Sequence, residues 1–261
     1  MGRAAARAIY TIWLRDVKRF FRERSRIVGM MLQPILFLVL VGNGIASSFR
    51  MAGAPAGFNY LEFMFPGIVG MTVLFSAVFS AMSVVWDREF GFLKEVVVAP
   101  VPRWTLAIGK ALGGSTTAVI QGAIILIIAP LAGVSLTITS VVELLALLFV
   151  ISLALASLGL VIAANLSSME GFQIIMNFLI MPMFFLSGAL FPLKNVAAWM
   201  AVLTKIDPLT YGVDALRHVI YGESALGTLL IQFPLLTDLS VVMLFGAVLL
   251  SVATVSFNRT A

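Results

Sequence analysis

The chain has 261 residues, 61% apolar and 11% charged, with a formal net charge of +5. An average soluble domain is about 25% charged, so most of this chain must sit in a solvent other than water, and it reads as a polytopic membrane protein. The absence of Cys excludes disulfides, thiol catalysis and thiolate metal sites, and a lone His218 leaves no His cluster for zinc.

Residues 1–26 are basic. Ile9, Ile12, Trp13, Val17, Phe20 and Phe21 recur at helical spacing, with Arg15, Lys18, Arg19 and Arg22 falling largely between them. The pattern predicts an amphipathic helix in the headgroup region, its Arg and Lys near anionic lipid. A simpler reading makes this segment a topology determinant only. Residues 27–261 then form the transmembrane domain.

A helix needs about 20 mainly apolar residues to cross hydrocarbon. Six such runs follow: Ile27–Ile45, Phe63–Trp86, Ala111–Gly133, Leu144–Ala164, Phe172–Phe191 and Leu239–Phe257. Pro34, Pro66, Pro130 and Pro182 are compatible with them, because neighbouring groups can satisfy the freed carbonyls. None of the runs contains Asp, Glu, Lys, Arg or His. Their polar groups are Gln33, Asn43, Ser76, Ser80, Ser83, Gln121, Gln173, Asn177 and Ser187, which can line a path or, more commonly, bond helix to helix. Ion-coupled transport needs ionisable groups at depth, so the energy for any transport is expected from outside this chain.

Six crossings put both termini on one side, and the basic residues say which. Eight Lys or Arg precede the first run, Arg88, Lys94, Arg103 and Lys110 lie between the second and third, and Arg259 is near the end. Only Arg50, Lys194, Lys205 and Arg217 fall opposite. The termini and the second connection are therefore expected to be cytoplasmic.

That second connection, Asp87 to Arg103, reads DREFGFLKEVVVAPVPR. Wound as a helix, it gathers Asp87, Arg88, Lys94 and Glu95 on one face and Phe90, Leu93, Val96 and Val97 on the other, until Pro100 and Pro102 stop it. Its mixed acids and bases suit a groove on a protein better than a lipid surface.

Between the fifth and sixth runs two short helices are predicted on the outer side. The first, roughly Asn195 to Leu203, carries the interfacial residue Trp199. The second starts at the Asp207-Pro208 cap, turns Leu209, Gly212, Val213, Leu216 and Ile220 to one face, and ends at Gly222. The pair is expected to tuck against or slightly into the outer leaflet. Nucleotide chemistry is missing: Gly109-Lys110 is followed by Ala111, and Trp104 stands where a phosphate loop needs Gly.

The run Arg88-Glu89-Phe90-Gly91-Phe92-Leu93-Lys94-Glu95, followed by Val98-Ala99-Pro100-Val101 and Arg103, resembles the loop of ABC-2 type exporter permeases. Phe185-Leu186-Ser187-Gly188-Ala189-Leu190-Phe191-Pro192, then Asp207-Pro208-Leu209-Thr210-Tyr211 with Leu216-Arg217, is similar to that family's second signature. The resemblance implies an all-α membrane protein. Six transmembrane helices would be joined by an N-terminal cytoplasmic amphipathic interface helix, a short coupling helix between spans two and three, and an outer-side helical pair between spans five and six. Two departures touch the outer pair: Ala197-Ala198 stands where family members often have Pro, and Asp207-Pro208 replaces Asn-Pro.

The same resemblance implies an export subunit of the prokaryotic cytoplasmic membrane and no enzyme. Such a subunit pairs with a second copy or paralogue and with two separate ATP-binding-cassette ATPase subunits. ATP and Mg belong to the ATPases, so no catalytic, cofactor or metal residue is expected here, and no nucleic-acid partner. Arg88, Glu89, Phe90, Phe92, Leu93, Lys94 and Glu95 would contact the ATPase. Phe75, Phe79, Asn177, Met181, Phe184 and Ser187 would line the path, ordinary helix packing being the alternative for each. Phe and Met in the spans suit a hydrophobic or amphipathic cargo such as a drug, lipid or glycan-lipid. A membrane anchor that recruits a cytoplasmic protein without transport is the competing reading. A membrane-embedded lipid-modifying enzyme is disfavoured, because no acid, base or nucleophile clusters near the span ends.

Overall fold

A computed structural model describes residues 2–46, 59–90, 102–222 and 224–260. Every regular element among them is helical. Helix α1 covers Gly2–Arg22. Helix α2 runs from Arg24, widens into a π-helical stretch at Phe37–Val41 and ends at Ala46. The widening follows Pro34, whose missing N–H and bulky ring disturb the regular ladder. Helix α3 spans Tyr60–Ser80 and continues through a turn at Ala81 into Met82–Glu89.

Helix α4 is Trp104–Ile127, α5 is Ile138–Ala164 and α6 is Met169–Leu186. Short helices α7 (Ala198–Ile206), α8 (Pro208–Tyr221) and α9 (Ala225–Leu230) precede α10, Leu235–Thr260. Side-chain oxygens start several of them: Asn59 for α3, Thr137 for α5, Ser168 for α6, Asp207 for α8 and Ser224 for α9. Six helices are long and apolar enough to cross a membrane, over Ile27–Ile45, Tyr60–Glu89, Trp104–Ile127, Ile138–Ala164, Met169–Leu186 and Leu235–Phe257.

Helix α3 is the axis. From Phe63 to Leu74 every residue is buried. Helices α4 and α5 pack on it and on each other, α10 covers α5, and α2 and α6 lie at the periphery. Close approach needs small residues: a Cβ on Gly159 of α5 would stand 2.7 Å from the Val78 carbonyl of α3.

Several helices begin or end outside the charge-free runs expected above. The second helix begins at Tyr60 and runs on to Glu89, taking in Glu62, Asp87 and Arg88. The third begins at Trp104 rather than Ala111, encloses Lys110, and gives way to a 3-10 turn at Ala129–Ala132. The sixth begins at Leu235 and includes Asp238. Lys110 and Asp87 are accommodated by partners on other helices, whereas Asp238 lies buried in the first turn of α10.

The outer pair also sits differently. Trp199 on α7 is exposed, but α8 inserts among α3, α5 and α10 with Leu209, Val213 and Leu216 fully buried. Arg217 of α8 is buried as well. One guanidinium nitrogen donates to the Gly188 carbonyl at 2.6 Å, and the group lies over the Phe63 ring at 5.3 Å. Burial pulls its pKa down, opposed by the Asp214 carboxylate and Tyr221. Gly188 and Gly222 hold positive φ of 76° and 51° at the turns bordering this insertion.

Asp207 caps α8 by accepting from the Leu209 N–H at 2.9 Å. Burial pushes its carboxyl up to about 7, against the lowering effect of that N–H and the Thr210 hydroxyl. An acid whose folded pKa is raised binds its proton more tightly when folded. Its contribution is therefore full below the unfolded value near 3.8 and declines as pH rises through about 7. Asp207→Asn keeps the capping oxygen and cannot titrate. Thermal unfolding between pH 5 and 8 is expected to show a falling midpoint for the native chain and a flatter profile for the variant.

Candidate functional site

Helix α1 lies along α4, and the contact is built around glycines. Cβ atoms placed on Gly109 and Gly113, one turn apart, would stand 2.8 Å from Ile12 and 2.9 Å from Asp16. The backbones therefore meet closely enough for Trp13 to donate to the Thr116 hydroxyl at 2.9 Å. Only part of the expected apolar stripe docks this way: Ile12 packs toward the core while Phe21 stays exposed.

Where the two glycines bracket it, Lys110 is buried, its side chain 1% exposed. Its Nζ meets Asp16 of α1 at 3.1 Å, Asp87 of α3 at 3.0 Å and the Ser83 hydroxyl at 2.9 Å. Arg15 adds a 2.6 Å ion pair to Asp87, and Arg19 lies over the Trp86 ring at 4.6 Å. Two cations thus face two carboxylates in one cluster that spans α1, α3 and α4.

This cluster adjoins the end of α3, from which the expected coupling segment departs. Of that segment Phe92, Leu93, Lys94 and Glu95 lie outside the described residues. Glu89 and Phe90 are exposed, Phe90 by 78%. Arg88 turns inward, donating to the carbonyls of Ala164 and Leu166, both at 2.9 Å. A cation on the Ala164 carbonyl, the last of α5, is favourably placed against that helix's negative end. Arg88 therefore ties α3 to α5.

The expected path residues divide. Phe75 and Phe79 stack at 6.1 Å on the half-buried face of α3, and Phe79 meets Phe172 of α6 edge-on at 6.5 Å. Phe184 is fully buried against Phe37 of α2. Ser187 is likewise buried, its hydroxyl donating to the Phe184 carbonyl at 2.7 Å where α6 ends. Asn177 is exposed and Met181 half-buried. Phe79 and Phe184 meet rings of neighbouring helices across the seam of α3, α6 and α2, and Phe184 and Ser187 are packed rather than open in a single chain. On another face of α6 lies a cavity of about 340 Å³, lined by residues such as Phe178, Pro182, Met183, Leu203 and Phe245, with Asp207 at its edge.

Residues 7–221 match the model of the family described as ABC-2 type transporter. The chain belongs to that family. It is 26% identical over 241 residues to the inner membrane transport permease YadH of Escherichia coli K12, covering 91% of this chain and 90% of that one. It is 29% identical over 216 residues to a transport permease, ycf38, of Cyanophora paradoxa, across 80% of this chain and 73% of the other. Nodulation protein J of Rhizobium leguminosarum bv. viciae is 25% identical over 215 residues, across 81% and 82%. The chain is thus the membrane permease subunit of an ABC transporter, a multi-pass transport component and not an enzyme, and permeases of this kind work with ATP-binding-cassette ATPase subunits.

Hydropathy does not reveal the cluster that anchors this ABC-2 permease's first helix. The available signal was Gly109-x-x-x-Gly113 flanking a lysine on an apolar helix, a spacing that marks close helix contact. Lys110→Met removes the cation from between two carboxylates that are each 13% exposed. A loss of about 3 kcal/mol is expected, together with faster proteolysis within residues 2–22. Asp16→Asn in the Lys110→Met background should cost less than its single effect, which a double-mutant cycle would measure.

Proposed function

We propose that this permease is one half of a dimeric exporter that moves a hydrophobic or amphipathic substrate, such as a drug, a lipid or a glycan-lipid, out of the cytoplasm or inner leaflet. Hydrolysis on two ATPase subunits drives it. The second half is a further copy or a paralogue. The end of the bundle bearing α1 and the tail is cytoplasmic, in a bacterial inner membrane, as the Lys and Arg distribution and the name of the Escherichia coli relative support.

The observation that carries the reading is the fixed geometry at the end of α3. Glu89 and Phe90 project from a helix end held by the Lys110 cluster and by Arg88. Segment 91–101 follows directly. With Phe92, Leu93, Lys94 and Glu95 it supplies the coupling surface, together with Glu89, Phe90 and the guanidinium of Arg88 when the segment is engaged. ATPase closure pushes this surface, and α3 carries the displacement to the seam with α6, where Phe75, Phe79, Asn177, Met181, Phe184 and Ser187 border the path. The apolar cavity beside α6 supports an apolar cargo. The basic face of α1, with Arg15, Lys18, Arg19 and Arg22 bordering one hollow, suits anionic lipid headgroups.

Glu89→Ala combined with Leu93→Ala is expected to weaken co-purification with the ATPase subunits and to reduce substrate-stimulated hydrolysis in liposomes at least tenfold, with unfolding of the permease unchanged. Undiminished association and transport would sink the coupling assignment. A reporter fused after Ala261 should be active only in the cytoplasmic form, and an external signal would reverse the topology.

A further inference from the structure

At the end of the bundle opposite α1, three side chains converge that the transport reading leaves without a task. Asp214 and His218 lie one turn apart on α8, and Asp238 stands in the first turn of α10. One donor atom from each lies within 4.8 Å of the other two.

Asp238 is the informative member. Its side chain is 0% exposed, and among the described residues neither carboxylate oxygen has a hydrogen-bond partner. The nearest opposite charge it can meet is His218, whose Nε2 stands 3.6 Å from Oδ2. Arg217, the cation next in sequence, is directed elsewhere, to the Gly188 carbonyl and the Phe63 ring. Lys194 donates to the Thr228 carbonyl. A carboxylate taken out of water needs a counter-charge or donors, and among the described residues Asp238 has no lysine or arginine.

The other two donors are held from outside. Asp214 accepts the backbone N–H groups of Gln232 and Phe233, each at 2.9 Å, so the turn preceding α10 fixes its orientation. His218 Nε2, when protonated, donates to the Phe233 carbonyl at 2.8 Å, which fixes the ring against this turn, and an ion would take the place of that proton. Tyr211 stacks on Phe233 at 5.1 Å and backs the same turn. Supporting contacts of this kind orient the ligands of metal centres.

We propose that Asp214, His218 and Asp238 bind a divalent transition-metal cation, with the Phe233 carbonyl as a further oxygen ligand. One imidazole with carboxylate and carbonyl oxygens suits Zn2+ or Mn2+, whereas an all-oxygen set would suit Ca2+ or Mg2+. Two carboxylates neutralise the ion. His218 keeps 22% of its side chain exposed, which gives the ion a way in. The bound ion fastens α8 and the turn at 231–234 to the start of α10, closing one end of the permease.

The test uses the full chain in nanodiscs, stripped with EDTA and then given Zn2+ or Mn2+. Elemental analysis after buffer exchange should find about one ion per chain, with an unfolding midpoint roughly 5 °C higher at a hundredfold excess over Kd. Asp238→Asn and His218→Gln should each abolish retention and the shift, while Asp207→Asn, outside the cluster, should keep both. EDTA-stripped Asp238→Asn should unfold no lower than the stripped native chain, because it removes a buried charge. Absence of retained metal in the native chain overturns the proposal, as does retention unaffected by His218→Gln or an equal shift with Mg2+ or Ca2+. Should either variant fail to fold, retention by the native chain decides alone. Since no transport is measured, the outcome is separable from the fate of the exporter reading.

Discussion

A single buried ammonium organises the α1 end of this permease. Lys110 is the only charged residue of α4, and a buried cation there is tolerable only with its charge met at close range. Asp16 and Asp87 meet it, and they belong to two other helices. The register of α1 against α4 and that of α3 against α4 are therefore not independent. Gly109 and Gly113 make the arrangement possible by letting α1 come near enough for Asp16 to reach.

The opposite end relies on a second buried cation with another chemistry. Arg217 brings a planar, multi-donor group into the core, and it spends one nitrogen on the Gly188 carbonyl and its face on Phe63. Its Nε has no partner among the described residues. The Tyr221 hydroxyl donates to the Glu62 carbonyl and that of Tyr60 to the Leu190 carbonyl, so the turn after α6 and the start of α3 are joined to α8. Between these polar ends α3 is buried continuously from Phe63 to Leu74, mainly by apolar packing.

Much of this was legible in the amino-acid order. Hydropathy located six crossings, and Asp207-Pro208 with Gly222 marked α8 almost to the residue. What escaped has a common cause. Hydropathy treats a charged residue as the end of a span, whereas Lys110, Asp87 and Asp238 lie within helices because partners or burial geometry are supplied by distant segments. An amphipathic stripe cannot say whether its apolar face meets lipid or another helix, so the docking of Ile12 and Trp13 on α4 was invisible. Helix α8, expected against or slightly into the outer leaflet, packs among α3, α5 and α10, and its sequence does not show this because the Gly188 and Phe63 partners of Arg217 come from distant segments. Nor could Arg88 be foreseen on the α5 carbonyls, since helix ends are acceptors whose position depends on packing.

The contrast between α3 and α6 bears on how a path along their seam can open. Helix α3 is pinned at one end by ionic contacts and along its length by α4 and α5. In helix α6 only Phe172, Met176, Ile180, Met183 and Phe184 are buried. It meets its neighbours through ring contacts such as Phe79 with Phe172 and Phe184 with Phe37. Such aromatic pairs are worth about 0.5–1.5 kcal/mol each beyond their burial, less than breaking a buried ion pair costs. On the proposed coupling, a displacement imposed at the Glu89 end would be transmitted by α3 as a unit and taken up where the holding contacts are weakest. That place is the aromatic seam with α6 and α2, where the π-helical turn after Pro34 already departs from a regular ladder.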